Sequence, residues 1–177
     1  MNKNKLFWQF FGFIFVCIGG AILHFLFAWC NFSPWVAPFA SVNESTFEHM
    51  KLLFFPAFIF ALLQERFNKD VGNFWVVKLK GILIGLALIP TIFYTYSGCF
   101  GRSPSFLNIA IFFISVFFCF RFEAKNKAEK PKGSLLQTVA FAALCLIFFC
   151  FALFTYFPPR LPLFLDPVSN GYGIIKA

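Results

Sequence analysis

Runs of about twenty apolar residues, each nearly free of charge, recur five times in this chain and leave little sequence between them. A helix rises roughly 1.5 Å per residue, so a run of that length crosses a hydrocarbon core of about 30 Å. Lipid offers no partner to a free amide or carbonyl, and such runs must therefore close their hydrogen bonds as helices. The expected spans are residues 6–29, 46–63, 74–96, 104–122 and 135–157. Hydrophobic residues make up 60% of the chain and charged residues 12%, which leaves no stretch fit for a separate soluble domain. The expectation is an all-α integral membrane protein, a five-helix bundle forming one membrane-embedded domain over residues 1–177.

The apolar run after Lys3 and Lys5 is longer than the h-region of a signal peptide, and no small-x-small cleavage site follows it. It reads as a retained first span. The net charge of +8 would suggest a nucleic-acid partner in a soluble chain, but here its distribution follows topology. Lys3, Lys5, Arg66, Lys69, Lys78, Lys80, Arg121, Lys125, Lys127, Lys130 and Lys132 fall on one side of the alternating spans, eleven in all. Lys51, Arg102, Arg160 and Lys176 fall on the other. Because cytoplasmic loops accumulate Lys and Arg, the N-terminus is expected on the cytoplasmic side of a cell membrane and the C-terminus outside. Trp8 and Trp75 would anchor the inner boundary, Trp29 and Trp35 the outer one. Lipid is the expected environment, and nucleic acid is set aside.

Polar residues concentrate on the outer side. Asn43-Glu44-Ser45-Thr46-Phe47-Glu48-His49-Met50-Lys51 places two carboxylates, an imidazole and an ammonium at the mouth of the second span. Ionisable groups at a membrane edge are costly and serve function by default. If the helix starts early, Glu44 and Glu48 share a face, and a cation or a proton must relieve their repulsion. With His49 they form a candidate divalent-metal or acid–base site. The competing structural reading is a capping box, in which Ser45 caps the helix, Glu48 reaches back to the Ser45 amide, and Glu48 with Lys51 is an ordinary pair. His24, in the outer half of the first span, is either a hydrogen-bonding group between helices or a further ligand.

The tail carries four prolines between Pro158 and Pro167, followed by a Ser-Asn-Gly turn. Leu161, Leu163, Phe164 and Leu165 make it too apolar to hang free, so it is expected to fold back over the outer helix ends. Asp166 joins the candidate catalytic residues Glu44, Glu48 and His49. Candidate binding residues are His24, Asn43, Lys51, Tyr94, Tyr96, Arg102, Arg160 and Tyr172. Cys30 and Cys99 both fall at outer span ends, where a disulfide is chemically allowed. Gly81 and Gly85 in the third span could let two helices approach closely.

The sequence Val42-Asn43-Glu44-Ser45 followed by Glu48-His49 and Lys51, the Tyr94-x-Tyr96-x-Gly98 stretch, and the tail from Pro158-Pro159 through Pro162-Leu163-Phe164 and Asp166-Pro167 to Gly171-Tyr172-Gly173-Ile174 carry a resemblance. The chain resembles an uncharacterised family of small bacterial multi-pass membrane proteins. Phe47 stands where that pattern would have Trp. The resemblance implies a bacterial cell-membrane location and supplies no activity. Three functions fit these residues: a metal-assisted or acid–base enzyme acting on lipid or envelope substrates, a small solute or ion transporter working as a homodimer, and a non-catalytic membrane partner or assembly factor.

Overall fold

The computed structural model describes residues 3–67, 72–101, 103–126 and 133–174. Five helices form: α1 (Lys3–Trp29), α2 (Thr46–Glu65), α3 (Phe74–Phe100), α4 (Ser105–Asn126) and α5 (Ser134–Tyr156), followed by a 3-10 turn at Pro162–Phe164. Each is long and apolar enough to cross a membrane. Among the described residues there is no sheet, only an isolated bridge between Leu165 and Tyr172 in the tail. Arg102 and the basic segment 127–132 lie outside the described residues.

The helices alternate in direction, so one end of the bundle gathers the end of α1, the start of α2, the α3–α4 turn and the tail after α5. Inside this arrangement α2 is the central element: 72% of its span is buried, against 22% for α5. Its sequence makes this workable, because Leu53, Phe54, Phe55, Phe58, Phe60 and Ala61 are apolar all round the helix. Tilted and edge-on phenylalanine pairs, such as Phe54–Phe151 and Phe55–Phe148, fill the space between α2 and α5. Pro56 lies within α2 without ending it. Having no N–H, it leaves the carbonyl of Leu52 without its usual helical donor. That carbonyl faces Gly20 of α1, where an added Cβ would lie 2.8 Å from it.

Gly81 and Gly85 serve packing within the chain. A Cβ on Gly81 would lie 3.1 Å from the Cys119 carbonyl and one on Gly85 3.3 Å from that of Ser115, so α3 and α4 meet along this stripe. At the end of the bundle away from the tail, Lys78 of α3 and Glu123 of α4 form a buried ion pair at 2.6 Å. Lys78 is therefore a core residue rather than a loop charge. Lys51 is another, being fully buried. Removing both from the charge count leaves ten against three, and the bias keeps its sign.

Phe164 brings the tail onto the bundle, its ring 4.4 Å from that of Phe47 and 5.7 Å from that of Phe154. Asn43 adds a polar tie by donating to the carbonyl of Gly173 at 2.9 Å. The connection between α1 and α2 is fixed from the other side, where the Tyr156 hydroxyl donates to the Pro34 carbonyl at 2.6 Å. Cys30 and Cys99 are free thiols.

Candidate functional site

Helix capping sets the local geometry. The Ser45 side chain accepts from the Glu48 amide at 3.4 Å, and Asn43 Oδ1 accepts from the Ser45 amide at 2.8 Å. This Asx-type turn occupies the amide that a reciprocal capping box would offer to Glu48. The Glu48 carboxylate turns inward instead. It accepts from the Val42 amide at 3.0 Å and pairs with Lys51 Nζ at 2.7 Å. Lys51 also donates to the Ala37 carbonyl and to Thr155 Oγ1, both at 2.9 Å. One ammonium thus joins α2, the preceding connection and α5, with its donors satisfied in a dry environment. Within the expected cluster, Glu48 and Lys51 occupy this internal clamp.

Glu44 lies just before the helix, on the turn held by Asn43 and Ser45, and its side chain remains about half exposed. Glu44 stands between two imidazoles. His49 Nε2 is 3.6 Å from one of its oxygens and His24 Nε2 3.8 Å from the other. The two rings have centroids 5.8 Å apart. His49 Nδ1 lies 2.9 Å from the Ser45 carbonyl, which can only accept, so Nδ1 carries the hydrogen. That leaves the Nε2 lone pair of a neutral His49 aimed at the cluster, the orientation that a backbone acceptor imposes on metal-ligating histidines. His24 is positioned by its helix and by edge-on contact with Phe25, centroids 4.9 Å apart.

The separations within this group are informative. At 3.6 and 3.8 Å they exceed a direct hydrogen bond of about 2.7–3.2 Å. All three candidate ligand atoms nevertheless fall within 4.8 Å of one another. Metal–ligand bonds of about 2.0–2.2 Å at tetrahedral angles put neighbouring ligand atoms roughly 3.3–3.6 Å apart, so a bound ion would draw this group slightly closer together. Two histidines and one carboxylate are a ligand set used by catalytic zinc and by non-haem iron.

A cavity of about 430 Å³ adjoins the three side chains, lined by Cys17, Gly20, Ala21, His24 and Phe25 of α1, Glu44, His49 and Leu52, and Asn108, Ile109, Phe112 and Phe113 of α4. Asn108 was not legible as a site residue from the sequence. Its Oδ1 accepts the hydroxyl hydrogen of Tyr96, which fixes the amide and leaves its N–H₂ as the donor.

The remaining candidates disperse. Asp166 is buried but used by its own tail: its carboxylate accepts from the Val168 amide at 3.1 Å and the Ser169 amide at 3.2 Å. Asn43 supports the turn rather than the cavity, and Tyr172 bridges to Leu165. Tyr94 and Arg160 are exposed.

Fold and site together define a class: a bundle of five helices, each long and apolar enough to cross a membrane, with a two-histidine, one-glutamate cluster at one end, beside an apolar cavity. The chain belongs to a family described as a family of unknown function, DUF6512, whose profile matches residues 1–174. No curated protein and no solved structure matches the chain significantly.

Proposed function

We infer that this is a multi-pass membrane enzyme in which His24, Glu44 and His49 hold a divalent metal ion that acts on a lipid or envelope substrate by hydrolysis or group transfer. The observation that carries this reading is the convergence of three ligand atoms, from α1, from the α1–α2 connection and from α2, at the head of a cavity large enough for a substrate. Three protein ligands leave coordination positions for water and for a substrate oxygen, and zinc so held lowers the pKa of its water to about 7. The Asn108 amide, fixed by Tyr96, is a neutral donor beside this centre for negative charge developing on a substrate oxygen. Glu48, Lys51 and Asp166 support the scaffold in this reading, and the charge bias supports an extracytoplasmic position for the cluster.

Elemental mass spectrometry of detergent-purified protein tests the reading. Near-stoichiometric zinc or another divalent metal is expected in the wild type and in Glu48→Gln, with loss in His24→Ala, Glu44→Gln and His49→Ala. Folded wild-type protein that neither retains nor takes up a divalent metal would overturn it. Iron in place of zinc would keep the site but change the chemistry to oxidation.

A further inference from the structure

The cavity is polar at one end only. His24, Glu44, His49 and Asn108 stand at its head, and the rest of its lining is apolar apart from the thiol of Cys17. From His24 to Cys17 it follows α1 for two turns, about 10 Å. Its mouth is marked by residues that line it and are also exposed: Phe25 (52%), Ile109 (59%) and Phe113 (43%). The cavity therefore opens sideways along the seam between α1 and α4. That surface continues into other exposed apolar side chains, Ile18 and Ile22, and in a bundle that spans a bilayer it faces hydrocarbon. A lipid chain already lies against such a mouth, while the half-exposed Glu44 leaves the polar head of the cavity open as well.

We propose that the α1–α4 seam is a lateral portal for an acyl-chain lipid, whose chain lies along Cys17, Ala21 and Phe113 and whose polar linkage meets Asn108 and the His–Glu cluster. This deepens the reading above and rests on it for the chemistry at the head of the cavity, but not for the binding of the chain. The match is amphiphilic: an apolar trough ends in hydrogen-bond donors and candidate metal ligands at the depth where a phospholipid changes from chain to linkage. Gly20 keeps the trough narrow, since a Cβ there would lie 2.4 Å from Phe112 Cζ. Ala21 is exposed and lines the trough, so a larger side chain at this position would fill the groove without entering the core.

The test uses full-length protein in phosphatidylethanolamine–phosphatidylglycerol vesicles containing a trace of phospholipid with a diazirine in mid-chain. After irradiation, adducts are located by peptide mass spectrometry. Enrichment of about fivefold at residues 17–25 and 109–113 over the exposed α5 positions Leu146 and Phe149 is expected, equivalent to about 1 kcal/mol of preference. Ala21→Trp should abolish the enrichment, while Leu153→Trp, exposed on α5 and outside the cavity, should leave it. Adducts spread evenly over all exposed faces, or enrichment unchanged by Ala21→Trp, would overturn the portal. Labelling needs no metal, so the two readings fail separately. An enriched seam in metal-free protein removes the metal centre and keeps the portal; a metal-loaded protein with even labelling does the reverse.

Discussion

Lys51→Met is the most informative perturbation of the scaffold. Lys51 is fully buried and Glu48 is 2% exposed, so replacing the ammonium with a thioether strands a carboxylate in an apolar interior with only the Val42 amide to meet it. The Ala37 carbonyl and Thr155 Oγ1 lose their donor at the same time, although Thr155 still donates to the Phe151 carbonyl. Removing one member of a buried ion pair costs about 3–5 kcal/mol, whereas replacing both members costs far less. For a chain of this size each kcal/mol lowers the thermal midpoint by about 2–4 °C, so Lys51→Met should melt roughly 6–20 °C below wild type. Glu48→Gln/Lys51→Met, which keeps an acceptor for Val42 and removes the stranded charge, should recover at least about 2 kcal/mol of that loss. Thermal unfolding in detergent, followed by the fluorescence of the four tryptophans, measures both. A single variant as stable as wild type, or a double variant no better than the single one, would refute the clamp and return Glu48 to the candidate catalytic residues.

The second buried pair should behave in the same way. Lys78→Met leaves Glu123 without its partner at 2.6 Å and removes a cation 5.4 Å from the ring centroids of both Phe60 and Phe120. A loss of about 3–5 kcal/mol is expected in the same melt, with substantial recovery in Lys78→Met/Glu123→Gln. Gly81→Ala should destabilise by about 1–3 kcal/mol, because its Cβ would approach Glu123 Cγ to 2.9 Å and the Cys119 carbonyl to 3.1 Å. A neutral result at Gly81 would mean that α3 and α4 separate more easily than their packing indicates.

The candidate site was partly legible in the sequence. Polar residues near the start of the second span were visible because charge is rare there, and His24 stood out because a histidine within an apolar run is unusual. The division of labour among these residues was hidden. Glu44 and Glu48 are four apart, a spacing that puts both on one helix face. The helix begins only at Thr46, however, and the Asn43–Ser45 turn sends Glu44 out towards the histidines while Glu48 points into the core. Asp166 drew notice as an acid beside prolines, yet its carboxylate closes a turn. Asn108 gave no signal, since its significance comes from Tyr96 on a neighbouring helix and from the cavity between α1 and α4.

The sequence by itself determined the five apolar helices and the segregation of Lys and Arg among the segments that join them. These follow from local hydropathy and charge, because a backbone in lipid must satisfy its own hydrogen bonds. Only the tertiary structure decided which helix is central, which lysines are core residues, and which three side chains meet. Those outcomes depend on contacts between residues far apart in the chain, such as Lys51 with Thr155, Lys78 with Glu123 and His24 with Glu44. Hydropathy has the same value for a residue facing lipid as for one facing another helix, so no local pattern distinguishes them.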